Sequence, residues 1–130
     1  PAVGAALAQL HRAPERPWTI ADLAQEVGIS RSVLADRFRL FLREPPMSYL
    51  SRWRLQLGAR MLKSTSHSVA QIAGEVGYES EPAFNRAFKR QFGAPPARFR
   101  ARAQVEKESA RKPKVSARIR PALTARRSSS

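Results

Sequence analysis

Apolar residues recur along most of this chain at the three- and four-residue spacing of a helix face. Val3, Ala6, Leu7 and Leu10 form the first such set, ending ahead of Pro14. Residues 14–17 read as a linker. Thr19 follows Trp18 and can cap a helix, with Asp22 completing a variant of the capping box. Leu23, Ala24 and Val27 give that helix its stripe, and Gly28 stops it, because a glycine past a helix end turns left-handed without a Cβ clash. Ser30 caps the next helix, whose expected buried side is Val33, Leu34, Phe38, Phe41 and Leu42, before Pro45-Pro46 ends it. Leu50, Trp53, Leu57, Met61 and Leu62 predict a longer helix over 47–63, which at about 1.5 Å per residue spans roughly 25 Å. Ser68 with Gln71 is a capping box for another helix, carrying Ile72, Ala73 and Val76, which Gly77 stops. Phe84, Phe88 and Phe92 mark a helix over 81–92 that Gly93 ends, and a last short helix starts at Pro95-Pro96 with Phe99. The spacing predicts an all-α chain of about seven helices.

Part of the pattern occurs twice. Ala24, Glu26, Val27 and Gly28 meet Ala73, Glu75, Val76 and Gly77 at an offset of 49 residues. Downstream the offset becomes 50: Phe38 meets Phe88, Leu42 meets Phe92, Pro45-Pro46 meets Pro95-Pro96, and Tyr49 meets Phe99. The second copy thus has one extra residue in its turn. Each copy is a helix, a Gly-centred turn, a second helix and a Pro-Pro break. That is a helix-turn-helix, whose second helix can lie in a major groove. A small Ala on the first helix lets the second cross close to it.

Charge gives the duplication a direction. The 130 residues carry 24 basic and 10 acidic side chains, a net +14. A field of that sign favours polyanions, nucleic acid first and an anionic membrane surface second. From residue 103 the apolar pattern fails, and eight basic and two acidic residues lie among Ser, Ala and Pro. So few apolar groups cannot offset the entropy of ordering, and 103–130 is expected to be a disordered basic tail. The body before it stays basic in its own right. The chain has no cysteine, which excludes disulfide scaffolds, thiolate metal sites and cysteine nucleophiles. No apolar run approaches the roughly 20 residues of a membrane span. No signal peptide is visible, and the missing initiator Met suggests a piece of a longer protein.

The segments LAQEVGISRSVLADRF, YLSRWRLQLGARML and IAGEVGYESEPAFNRAFKRQFGAPPARFR, with their spacing, resemble the DNA-binding domain of the AraC/XylS transcription regulators over about residues 5–102. The resemblance implies two homeodomain-like helix-turn-helix units joined by a rigid helix. The domain would occupy 1–102: a first unit over about 5–46, a joining helix over about 47–63 and a second unit over about 68–102. WTIADLA with EPPMSYLSRWRLQL is similar to members whose other half is a cupin-like sensor, so no small-molecule site and no cofactor is expected in this chain. Promoter DNA is the implied partner. Activation through RNA polymerase and a place at the bacterial nucleoid in the cytoplasm are implied with it. Two departures stand out. Arg43 occupies the place of Gly93, and a left-handed Arg costs roughly 1 kcal/mol more than Gly, so the first unit's exit turn is expected to be looser or differently shaped. Pro82 sits in the first turn of the second recognition helix, where it offers no polar group to a base.

The recognition helices offer one face outward: Arg31, Ser32, Ala35, Asp36 and Arg39 with Arg37 at the margin in the first, and Glu81, Asn85, Arg86 and Lys89 in the second. Arg can take guanine, and Asn adenine, through two hydrogen bonds. The base-contact candidates are Arg31, Ser32, Asp36, Glu81, Asn85 and Arg86; the resemblance places contacts near Ser32, Asp36 and Arg86. The phosphate candidates are Arg37, Arg39, Lys89 and Arg90, which supply affinity and register but no sequence information. Asp36 would either accept from a cytosine amine or pair with Arg37, Arg39 or Arg12. Glu26 and Glu75 read as solvated helix ends, or as partners of a basic residue of the recognition helix or its neighbours. Enzyme chemistry is disfavoured: His11 and His67 lie far apart, and no HExxH, phosphate loop or Ser/His/Asp set is present. The stronger rival is a nonspecific nucleic-acid binder, for which the basic tail alone would suffice. A pair of recognition helices on one chain instead predicts an asymmetric site of about two DNA turns.

Overall fold

Capping decides where each helix begins and ends. The computed structural model describes residues 1–111, and these form α1 (Ala2–Arg12), α2 (Ile20–Val27), α3 (Arg31–Leu42), α4 (Pro46–Ser64), α5 (Val69–Val76), α6 (Glu81–Phe92) and α7 (Pro96–Arg111). The expected all-α architecture of two helix-turn-helix units is what they build. Thr19 Oγ1 accepts from Asp22 N at 3.0 Å, and its counterpart Ser68 Oγ accepts from Gln71 N at the same distance. Ser30 and Ser80 cap the two recognition helices α3 and α6 alike, each accepting at 3.2 Å from the backbone N–H three residues on. Gly28 and Gly77 turn left-handed at φ 77° and 106°. Ile29 N and Tyr78 N then reach back to Ala24 O and Ala73 O, satisfying carbonyls that a helix end leaves open. No described helix is long and apolar enough to cross a membrane.

The two units have separate cores that share one helix. Val3, Ala6 and Leu10 of α1 close over Trp18, Leu23, Ala24, Leu34 and Phe38, with Leu50 of α4 beneath. Leu55, Ala59 and Leu62, also of α4, close over Ile72, Ala73, Val76, Phe84 and Phe88. α4 therefore does for the second unit what α1 does for the first, so the joining helix belongs to both cores. Ala24 and Ala73 are both buried where the second helix of each pair crosses. Gly58 has the same use between α4 and α6: a Cβ there would lie 2.8 Å from the Phe84 ring.

Three expectations change. Arg43 does not loosen its turn. It adopts φ 64°, ψ 19°, and its N–H bonds Arg39 O at 3.0 Å, as Gly93 at φ 82° bonds Lys89 O at 2.8 Å. The shared Pro-Pro exit imposes the same geometry, and the Arg bears the strain. Arg43→Gly should therefore raise stability by about 0.5–1 kcal/mol, the relief of a left-handed side chain less the extra chain entropy of glycine. A urea midpoint measures it, and a fall in stability would show that the Arg side chain makes a compensating contact.

Phe41 and Val33 are not on the buried side. Phe41 is 67% exposed and Leu40 69%, and Val33 also faces solvent, while Leu34 and Phe38 are fully buried. Phe41 lies about 60° around the helix from Phe38, and the chain turns away at Pro45-Pro46 before anything covers it. At the offset of 50 its counterpart is Gln91, a solvent residue.

α7 continues to Arg111, so residues 103–111 of the expected tail are helical, and 112–130 lie outside the described residues. The apolar criterion failed there because extending a docked helix needs no core. Phe99 packs at 5.1 Å from Phe88 and 5.6 Å from Phe92, which fixes the first turn, and Ala, Gln, Glu, Lys and Arg then propagate it. Arg100 donates to Leu62 O at 3.0 Å and Thr65 O at 3.2 Å, and Lys107 to Lys63 O at 2.8 Å. These cations satisfy the C-terminal carbonyls of α4 and complement its dipole.

Candidate nucleic-acid interface

Burial of Leu34 and Phe38 on one side of α3 turns Arg31, Ser32, Asp36, Arg37 and Arg39 to solvent. Burial of Phe84 and Phe88 does the same in α6 for Glu81, Arg86, Lys89 and Arg90. Asn85 is half-buried, as is its counterpart Ala35, so its amide is less open to a base than the sequence implied. Pro82 falls in the first turn of α6, where a missing N–H leaves no helix bond unmade.

Among the described residues no ion pair neutralises the cations on these helices. The ion pair among those residues is Arg52 with Glu44, and His67 hydrogen-bonds Glu75. Neither involves Arg31, Arg37, Arg39, Arg86, Lys89 or Arg90, and Asp36 takes none of the arginine partners considered for it. Unpaired cations on one exposed helix face attract a polyanion, since binding releases its counterions. Glu75 meets His67 Nδ1 at 3.1 Å across the turn before α5, not a recognition-helix residue, and Glu26 is exposed. His11 Nε2 lies 2.6 Å from Tyr49 Oη, and its ring packs tilted on Trp53 at 4.4 Å, so it ties α1 to α4. No described group of His, Cys, Asp or Glu could hold a metal ion.

The structure adds residues that the apolar reading of α4 passed over. A cleft of about 480 Å³ runs between α4 and α6, bordered by Ser48, Ser51 and Arg52 on one wall and Arg86 and Arg90 on the other. Glu44 holds Arg52 in place through Nε at 3.1 Å and through Nη2. That hydrogen bond raises the guanidinium above its ordinary value, against the burial that lowers it. The signal lay in the chain: positions 48, 51 and 52 share one helix face and carry only polar side chains. Tyr78 closes the cleft and packs edge-on to Phe84 at 5.5 Å. Burial pushes its hydroxyl up, with Arg54 and Arg90 pulling it back. The basic wall joining α6 to α4 is of a sign that attracts a polyanion.

Residues 23–102 match a family model described as a helix-turn-helix domain. A putative AraC-like transcription regulator of Streptomyces lividans is 49% identical over 100 residues, which are 77% of this chain and 33% of that protein. The chain thus spans about a third of the length of the curated relatives it matches. An AraC-type regulator from Chromobacterium violaceum superposes with a TM-score of 0.75 at 30% identity, covering 79% of this chain and 92% of that one. The DNA-binding domain of AdpA, solved with a target DNA, does so with 0.77 at 27% identity, covering 82% and 96%.

Proposed function

The chain belongs to the AraC/XylS family of transcription regulators, and on that premise we propose that it binds double-stranded promoter DNA by sequence, one recognition helix in each of two adjacent major-groove segments. The observation that carries this reading is the pair of capped, outward-facing basic helices built on separate cores, their cations without an ion pair among the described residues. Arg86 and Arg31 read bases first, with Ser32, Asp36 and Glu81 beside them and Asn85 in a lesser part. Arg37, Arg39, Lys89 and Arg90 hold phosphates, joined by Arg52 and the Ser48 and Ser51 hydroxyls. The protein acts at bacterial promoters in the cytoplasm, and activates by presenting this domain beside RNA polymerase.

The rival, nonspecific binding, shares the charge but not the geometry. Selection of bound sequences from a random DNA pool separates the two. The expected result is an enriched asymmetric motif of about two helical turns. Recovery of unenriched DNA would leave only the nonspecific reading.

A further inference from the structure

The two turn glycines are equivalent in sequence but not in surroundings. A methyl group at Gly28 would meet nothing within 4 Å, whereas at Gly77 it would lie 2.6 Å from Arg54 Nε and 2.7 Å from Pro14 O. Pro14 belongs to the loop between α1 and α2, so the second unit's turn presses on the first unit's loop, with one side chain of α4 between them. Arg54 Nε donates to Pro14 O at 2.8 Å and Nη2 to Arg16 O at 2.8 Å. Burial lowers its guanidinium from the ordinary value. The loop it grips is itself braced: Trp18 is buried, its Nε1 donates to Ala13 O at 2.9 Å, and Arg16 lies 4.1 Å over its ring. A cavity of about 360 Å³ at the seam is bordered by Pro17 and Trp18 from one unit, by Gly77, Tyr78, Glu79 and Ala83 from the other, and by Arg54.

A single helix joining two small units leaves their relative tilt to its own bending and to whatever lies across the seam. Two donors of one planar guanidinium, engaged by two carbonyls of one braced loop, define an orientation that one bond cannot. We propose that Arg54, seated against Gly77, is a positioning residue that sets the angle between α3 and α6 and thereby the half-site spacing one chain accepts. It touches no DNA. The spacing consequence rests on the DNA-reading proposal, but the angle does not.

The absence of cysteine allows clean spin labelling at Gln25→Cys in α2 and Gln71→Cys in α5, both exposed. The labelled parent should give one narrow distance distribution without DNA. Arg54→Met, which keeps the stem and loses both donors, should broaden or shift it at unchanged helicity, with Arg54→Lys in between. Gly77→Ala enters the seam from the other side and should broaden it more than Gly28→Ala, which carries the left-handed strain alone with nothing within 4 Å. On DNA, one base pair added to the spacer turns a half-site by about a tenth of a turn. The parent should lose about tenfold on that site, as for a missed base contact or two, while Arg54→Met discriminates spacings weakly and binds isolated half-sites as the parent does. Unchanged distributions in both Arg54→Met and Gly77→Ala, or an equal loss on every spacing and half-site, would overturn the proposal. Failure to enrich any sequence would sink the DNA reading and leave the distance result standing.

Discussion

Phe88→Ala should unfold the second unit. The ring is fully buried and sits at the centre of an aromatic group, 5.5 Å from Phe84, 4.5 Å from Phe92 and 5.1 Å from Phe99. Truncating such a residue costs about 3–5 kcal/mol, the lost transfer energy plus the cavity left behind. A whole domain has only about 5–15 kcal/mol, and here it is divided between two cores. α7 has most to lose, since Phe99 docks it on Phe88 and Phe92. Urea denaturation and amide hydrogen exchange read the effect: protection should vanish over α5, α6 and α7 while α1 to α3 keep theirs. A loss below about 1 kcal/mol, the range of well-tolerated core swaps, would mean that the neighbouring rings close the cavity.

Arg86→Ala should change what is bound rather than whether DNA is bound. Arg86 is exposed on α6, makes no ion pair among the described residues and borders the cleft shared with Arg52 and Arg90. A bidentate arginine–guanine contact discriminates by about 1–3 kcal/mol, roughly 5- to 150-fold. The loss should fall on the selected site and spare random DNA. Lys89→Ala, by contrast, should weaken both in proportion and lower the salt dependence. Equal losses from Arg86→Ala on both DNAs would reassign that side chain to a phosphate.

The helices and their ends were legible because they follow from local chemistry. Thr19, Ser30 and Ser68 cap where a hydroxyl precedes an apolar stripe, and Gly28, Gly77 and Gly93 stop helices where a left-handed residue is needed. The charged members of the outward sets on α3 and α6 were legible for the same reason: once Leu34, Phe38, Phe84 and Phe88 are placed inside, the helical period turns them out, whereas Ala35 and Asn85 at the margin are half-buried and Val33 is exposed. The repeat added register, and it held the clue to Phe41 as well, since its counterpart Gln91 is polar.

Other features depend on what a neighbouring element does, and no local period encodes that. The apolar residues of α4 predict a helix, yet only the packed chain shows Leu50 serving one core and Leu55 the other, with the polar positions 48, 51 and 52 left to line a basic cleft. α7 runs on because Arg100 and Lys107 find the open carbonyls at the end of α4, partners some 40 residues away in sequence. Arg43 turns left-handed because the exit to Pro45-Pro46 demands it. By itself, then, the sequence determined the number of helices, the capped ends of α2 to α6, their duplication and the sign of the surface they expose, all properties of residues within a few positions of each other. Tertiary structure alone decided how the two copies are held. One glycine of the repeated pair faces solvent and the other meets Arg54 and Pro14, because burial and close approach are properties of chain segments that meet only after folding.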